Sequence, residues 1–285
     1  ANGLTTTVSE ARDGDGIVDL VMLESTTLNA DGSITVLTED RSRDGATYSS
    51  STVTTSASGR TTTQTNDYDA DGIADLTVQS DLDIAVDGVQ TQTTTRTAAN
   101  GDAIGRLTVE NSADGRAVTT YNDVDGNGHD DMRITATVAD DGTRQSESEY
   151  LSTGGALQST YTMTTSGDGR TITRERDRNG DGEIDLRTVD VTDIATNGSV
   201  TREVAYYGRE DALSAREIYE TSDDQMRSKI SFDFDGDGTV EASNESQTIY
   251  AGNGDVTQTQ YVYGSPIVNG DSIGTPIEAT ITTTT

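Results

Sequence analysis

The sequence predicts an all-β protein of five tandem units of about 56 residues, each a four-stranded antiparallel meander, and three observations predict it. A nine-residue acidic phrase returns at nearly constant spacing. Asn-Gly and Asp-Gly turn signals keep phase with it. Between turns lie runs of about eight to eleven residues rich in Thr, Val, Ile and Tyr, which suit a pleated, half-buried surface.

The phrase is clearest as DYDADGIAD from Asp67 and recurs as ARDGDGIVD from Ala11, DVDGNGHDD from Asp123, DRNGDGEID from Asp177 and DFDGDGTVE from Asp233. The intervals are 56, 56, 54 and 56 residues, a regularity that marks tandem structural units. Cutting two residues before each phrase leaves a lead strand at 1–8 and repeats at 9–64, 65–120, 121–174, 175–230 and 231–285.

Within a repeat the elements follow in order. The first strand leaves the acidic phrase, and MRITATVAD shows its pattern, with Met132, Ile134, Ala136 and Val138 on one face and Arg133, Thr135 and Thr137 on the other. That alternation predicts a half-buried strand. A first turn follows at Asp31-Gly32, Asp87-Gly88, Asp141-Gly142, Asn197-Gly198 and Asn253-Gly254. The second strand ends in a turn at Asp44-Gly45, Asn100-Gly101 and Gly154-Gly155, and the third in a turn at Ser58-Gly59, Asp114-Gly115 and Asp168-Gly169. Such dipeptides between extended runs signal hairpins whose two turn residues both take positive φ. The fourth strand then runs into the next acidic phrase.

The start ANGLTTTVSE aligns with ASGRTTTQTN at 57–66, so the lead reads as a fourth strand without its own repeat, while repeat five lacks a third turn. Two architectures follow. Terminal strands can join chains by strand addition into a linear array or fibre, or residues 1–10 can complete repeat five in a five-bladed propeller. Runs such as TQTTTRT offer little to bury between blades, which favours the linear array, in which each unit meets its neighbours.

Composition restricts function. With no Trp, two Phe, 31% hydrophobic residues and a net charge of -31, a thick core is excluded, and order needs another source. The chain has no Cys, so disulfides do not supply it. The acidic field repels nucleic acid and anionic membrane, and no stretch reaches the ~18 apolar residues of a span, so neither nucleic-acid binding nor membrane insertion is expected. The start lacks a signal peptide's basic and apolar regions, as for a chain beginning inside a longer or processed protein. One His and no Cys leave no nucleophile and base to assemble, so no enzyme is expected.

The acidic phrase reads as D-x-[DN]-x-[DN]-G-x-x-[DE], a pattern that suits Ca²⁺. Alternate positions 1, 3 and 5 aim short oxygen-bearing side chains at one centre, the glycine permits the bend, position 7 offers its carbonyl and position 9 closes the ring. The expected ligands are Asp13, Asp15, Ile17 and Asp19 in loop 1; Asp67, Asp69, Asp71, Ile73 and Asp75 in loop 2; and Asp123, Asp125, Asn127, His129 and Asp131 in loop 3. Loop 4 offers Asp177, Asn179, Asp181, Glu183 and Asp185, and loop 5 offers Asp233, Asp235, Asp237, Thr239 and Glu241. Ile17, Ile73, His129, Glu183 and Thr239 serve through the backbone alone. Loop 1 has Ala11 at position 1 and should bind most weakly among about five sites.

These residues resemble the calcium loops of dockerins, thrombospondin type-3 repeats and FG-GAP or VCBS repeats. The whole unit resembles the Thr-rich repeat arrays of very large secreted bacterial surface and adhesin proteins. Position 12, where an EF-hand carries Glu, is here Met22, Val78, Ile134, Thr188 and Asn244, which excludes a helical sensor. The resemblance implies an extracellular or cell-surface structural role as a calcium-stabilised stalk, spacer or filament subunit, self-associating through terminal strands. Its alternative is a calcium-dependent propeller that binds a glycan or surface protein.

Overall fold

Closely spaced turns leave the backbone one local way to satisfy its polar groups, which is to pair each run with the next. The computed structural model describes residues 3–10, 18–252, 254–267 and 278–284, and it is all-β. Among these residues the one helical element is a single 3-10 turn at Arg209–Asp211, and no helix is long and apolar enough to cross a membrane. The chain divides into two units, Ala1–Thr135 with Tyr150–Ala156, and Ala136–Glu149 with Leu157–Thr285.

The first unit holds β1 (Leu4–Glu10), β2 (Leu20–Leu28), β3 (Ile34–Ser42), β4 (Thr47–Thr55), β5 (Thr61–Asp67), β6 (Leu76–Ile84), β7 (Gln90–Ala98), β8 (Ala103–Asn111) and β9 (Ala117–Asp123). Each pairs antiparallel with the next, so sheet order is chain order. Residues of β10 (Met132–Val138) and β11 (Arg144–Leu151) fall in both units. The second unit holds β12 (Leu157–Thr165), β13 (Thr171–Asp177), β14 (Leu186–Ile194), β15 (Val200–Tyr207), β16 (Leu213–Thr221), β17 (Arg227–Asp233), β18 (Val240–Tyr250), β19 (Val256–Ile267) and β20 (Glu278–Thr284), paired in the same way.

Pairing runs straight through the repeat junctions. β5 ends one repeat and β6 opens the next, yet they pair from Thr61↔Asp81 to Asn66↔Leu76, and β13 with β14 and β17 with β18 do likewise. A propeller keeps successive blades as separate sheets. The architecture formed is therefore an open antiparallel array, and among the described residues no pairing closes it. The lead strand β1 pairs within its own chain, with β2, from Leu4↔Thr26 to Glu10↔Leu20.

In each unit, strands make their substantial contacts only with chain neighbours, so each sheet is one layer thick. The buried apolar side chains among the described residues are Val204, Ala205 and Val240, outnumbered by buried polar ones that include Asp123, Asp177, Asp190 and Asp233. The half-buried face expected of β10 forms only in its first half, since Met132 and Ile134 are half-buried while Ala136 is exposed and Val138 is 41% exposed. A one-layered sheet leaves both faces to water. Its cohesion comes from the backbone ladder and from cross-strand pairs. Thr35 and Thr54 hydroxyls meet at 3.1 Å, and Arg202 grips Asp190 through Nε at 2.8 Å and Nη2 at 2.7 Å while lying over the Tyr219 ring.

The described Asp-Gly, Asn-Gly, Ser-Gly and Gly-Gly turns depart from expectation, because only the final glycine takes positive φ. At the first turn Asn29 N–H donates to Ser33 O and Gly32 N–H to Asn29 O, with Gly32 at φ +84°. This is a three-residue loop, a type I turn followed by a left-handed residue, and not a turn with two positive φ angles. Asp31 acts through its carboxylate instead, accepting from Ser33 N–H at 2.9 Å and Ser33 Oγ at 2.7 Å. Repeat four also turns where the sequence lacks a glycine signal. Gln225 (φ +59°) occupies the place held by Gly59, Gly115 and Gly169, and Glu210 and Asp211 (φ +60° and +58°) make the second turn.

Candidate metal centres

In a meander, connections alternate between the two ends of the strands, so acidic loops and second turns share one edge of the sheet. Neighbouring acidic loops of a unit are four strands apart, roughly 19 Å at the usual strand spacing. Asp13, Asp15 and Ile17 of loop 1 lie outside the described residues, but Asp19, its last expected ligand, is described. Asp19 N–H donates to Glu10 O at 2.8 Å, as Asp75 does to Asn66, Asp131 to Asn122 and Asp185 to Arg176.

Four loops share one internal scaffold. The position-1 carboxylate accepts the amide of the position-6 glycine: Gly72 to Asp67 at 2.9 Å, Gly128 to Asp123 at 3.0 Å, Gly182 to Asp177 at 2.8 Å and Gly238 to Asp233 at 3.1 Å. Asp69, Asp125, Asn179 and Asp235 accept the amide two residues on, and so do Asp71, Asn127, Asp181 and Asp237. These paired Asx turns coil the chain around its own side chains. Ile73, His129, Glu183 and Thr239 are thereby tied through their amides to position 5. The position-9 group caps the position-2 amide: Tyr68 to Asp75 at 2.7 Å, Val124 to Asp131 at 2.7 Å, Arg178 to Asp185 at 2.8 Å and Phe234 to Glu241 at 2.7 Å.

The loops differ in which oxygens converge. Loop 5 gathers ligand atoms of Asp233, Asp235, Asp237 and Glu241 within 4.8 Å of one another. Loop 3 gathers Asp123, Asp125 and Asp131, and loop 2 gathers Asp67, Asp69 and Asp71 without Asp75. Asp177, Asp181 and Asp185 of loop 4, where Asn179 replaces the position-3 acid of loops 2, 3 and 5, form no such carboxylate cluster; Arg209 reaches Asp185 through Nε and lies 3.5 Å from Asp181 through Nη2. Burial acts to raise the Asp177 carboxyl, but the amides of Gly182, Asn179 and Gly180 outweigh it and hold it below its ordinary value. The Asp185 carboxyl is lowered by the Arg178 amide first and Arg209 second.

A requirement at position 4 goes beyond the glycine of position 6. Gly126, Gly180 and Gly236 sit there at φ +74°, +70° and +74°, and each donates to Oδ1 of its position-1 Asp at 2.7 Å. A Cβ would strike the strand after the second turn, 2.7 Å from Leu157 O at Gly180, 2.5 Å from Leu213 O at Gly236, and against Ala103 O at Gly126. Repeat two carries Ala70 there at φ +60°, and Asp67 Oδ1 is buried without a hydrogen-bond partner. The repeated Gly at position 4 was the available sequence signal.

No protein-family model matches the chain, and no curated protein matches it in sequence.

Proposed function

We propose that the chain is a calcium-stabilised extracellular structural repeat protein, serving as a stalk, spacer or filament subunit of a bacterial surface or matrix assembly. One observation carries the reading: clusters of three or four carboxylates recur in phase at loops 2, 3 and 5, between paired strands that have little apolar burial of their own. Two like charges 4.8 Å apart repel by about 1 kcal/mol in water and about 3–4 kcal/mol at an effective dielectric of 20. A hard divalent cation reverses that sign and accepts six to eight oxygens. The residues present fit such an ion. Their donors are all oxygens, and the orphaned Asp67 Oδ1 stands beside Asp69 and Asp71.

In this reading the ions brace the repeat junctions while backbone ladders carry the span between them. The sequence resemblance and the net charge of -31 support an extracellular place. The edge of β1 facing away from β2 supports self-association by strand addition. No catalytic role is part of the proposal.

Affinities of about 10⁻⁴ to 10⁻³ M are expected, as in other extracellular modules. Thermal unfolding followed by circular dichroism, with and without chelator, tests the proposal. A large loss of stability in chelator is the expected result, and an unchanged cooperative transition in excess chelator refutes it.

A further inference from the structure

We infer that Arg209 serves loop 4 as a built-in cation, so that this loop is held together by a guanidinium where its sisters would use a divalent ion. The inference rests on the calcium reading and departs from the expectation of about five sites by removing loop 4 from them. Every carboxylate oxygen of Asp177, Asp181 and Asp185 already has a donor. Asp177 takes the amides of Asn179, Gly180 and Gly182. Asp181 takes the Glu183 amide and the Asn179 side-chain amide, and Asp185 takes the Arg178 amide and Arg209 Nε. Loop 2 contrasts with this, because Asp67 Oδ1 has no donor.

Arg209 opens the second turn of repeat four, a place held by Arg43 in repeat one. Glu210 and Asp211 both stand at positive φ without being glycine, a conformation that persists only where neighbours over-determine it. Here Arg187 pairs with Asp211 at 3.2 Å and lies over the Tyr207 ring. The corresponding turn residues beside loops 2 and 3 are Ala99 and Thr153, which carry no charge. A tethered cation competes at an effective concentration of order millimolar. That matches or exceeds the ion concentration needed to fill a site of about 10⁻⁴ to 10⁻³ M.

The test is calcium stoichiometry of the full chain by calorimetry and equilibrium dialysis. Arg209→Gln should bind one more ion per chain than the wild type. Arg209→Lys, Asp181→Asn and the double variant R209Q/D181N should all match the wild type. An Asp181→Asn chain that binds one ion fewer, or an Arg209→Gln chain that gains none while its circular dichroism is unchanged, overturns the inference. Asp235→Asn in loop 5 should lose one ion. Absence of calcium uptake by any of these chains, wild type included, overturns the calcium reading itself, and the inference with it.

Discussion

Ala70 stands at φ +60° where all four sister loops carry glycine, and replacing it with glycine should strengthen repeat two. A left-handed non-glycine residue costs about 1–2 kcal/mol. The donor arrangement of loops 3, 4 and 5 gives the position-1 Oδ1 an amide at 2.7 Å that Asp67 Oδ1 lacks. A hydrogen bond to a charged group contributes about 1.5–3 kcal/mol, and the open loop keeps it near or below the lower end. Against these stands the extra freedom of glycine in the unfolded chain, about 0.4–1 kcal/mol. Ala70→Gly should therefore stabilise the β5–β6 junction by about 1–2 kcal/mol, which slows amide exchange there by roughly 5- to 30-fold. Hydrogen exchange in chelator reads this locally and avoids assuming that a repeat array unfolds in one step. The mirror change, Gly236→Ala, places a Cβ 2.5 Å from Leu213 O and should speed exchange across β17 and β18. Exchange of β5 and β6 that is unchanged or faster in Ala70→Gly would show the strain and the orphaned oxygen to be of no energetic consequence.

Gln225→Gly should stabilise the β16–β17 hairpin by about 0.5–1 kcal/mol, the left-handed cost less the glycine entropy, measured by hydrogen exchange of Thr221 and Ser228. Arg202→Ala leaves the Asp190 carboxylate, 6% exposed, without its bidentate partner and should cost about 1–3 kcal/mol in denaturant unfolding, whereas Arg202→Lys should restore part of it. Acid should unfold the metal-free protein from about pH 3.8 downward. The Arg202 guanidinium holds Asp190 below the ordinary 3.8, the hydroxyls of Ser33, Ser42, Ser112, Ser166 and Ser222 do the same for Asp31, Asp44, Asp114, Asp168 and Asp224, and the Thr143 amide does so for Asp141. Such depressed groups contribute stability that is present above 3.8 and lost as pH falls through their lower folded values. Relief of the -31 net charge acts the other way between pH 5 and 4, so a melting temperature still rising below pH 3 would contradict the assignment.

Much of the architecture was legible because it is local. Asp-Gly and Asn-Gly turns, strand-length Thr-rich runs and the acidic phrase are each encoded within a dozen residues, and a chain with turns that frequent has few partners to choose but the adjacent strand. Oxygen-bearing positions 1, 3, 5 and 9 could likewise be read from spacing, since Asx turns are set by neighbours two residues apart. The half-buried face of β10 holds at Met132 and Ile134 but not at Ala136 and Val138, because alternation along a strand does not tell whether a second layer covers it. Gln225, Glu210 and Asp211 escaped notice because a side chain that tolerates the left-handed region at a cost leaves no glycine to mark the turn. What only the tertiary structure decided rests on residues distant in the chain. The position-4 glycines are required by carbonyls of Ala103, Leu157 and Leu213 about 23 residues earlier, and the divergence of loop 4 depends on Arg209, 24 residues beyond Asp185. The sequence by itself determined the repeat, its turns and its row of carboxylates; sheet pairing alone brought a second turn alongside loops 3, 4 and 5, and that proximity determines which side chains meet the carboxylates there.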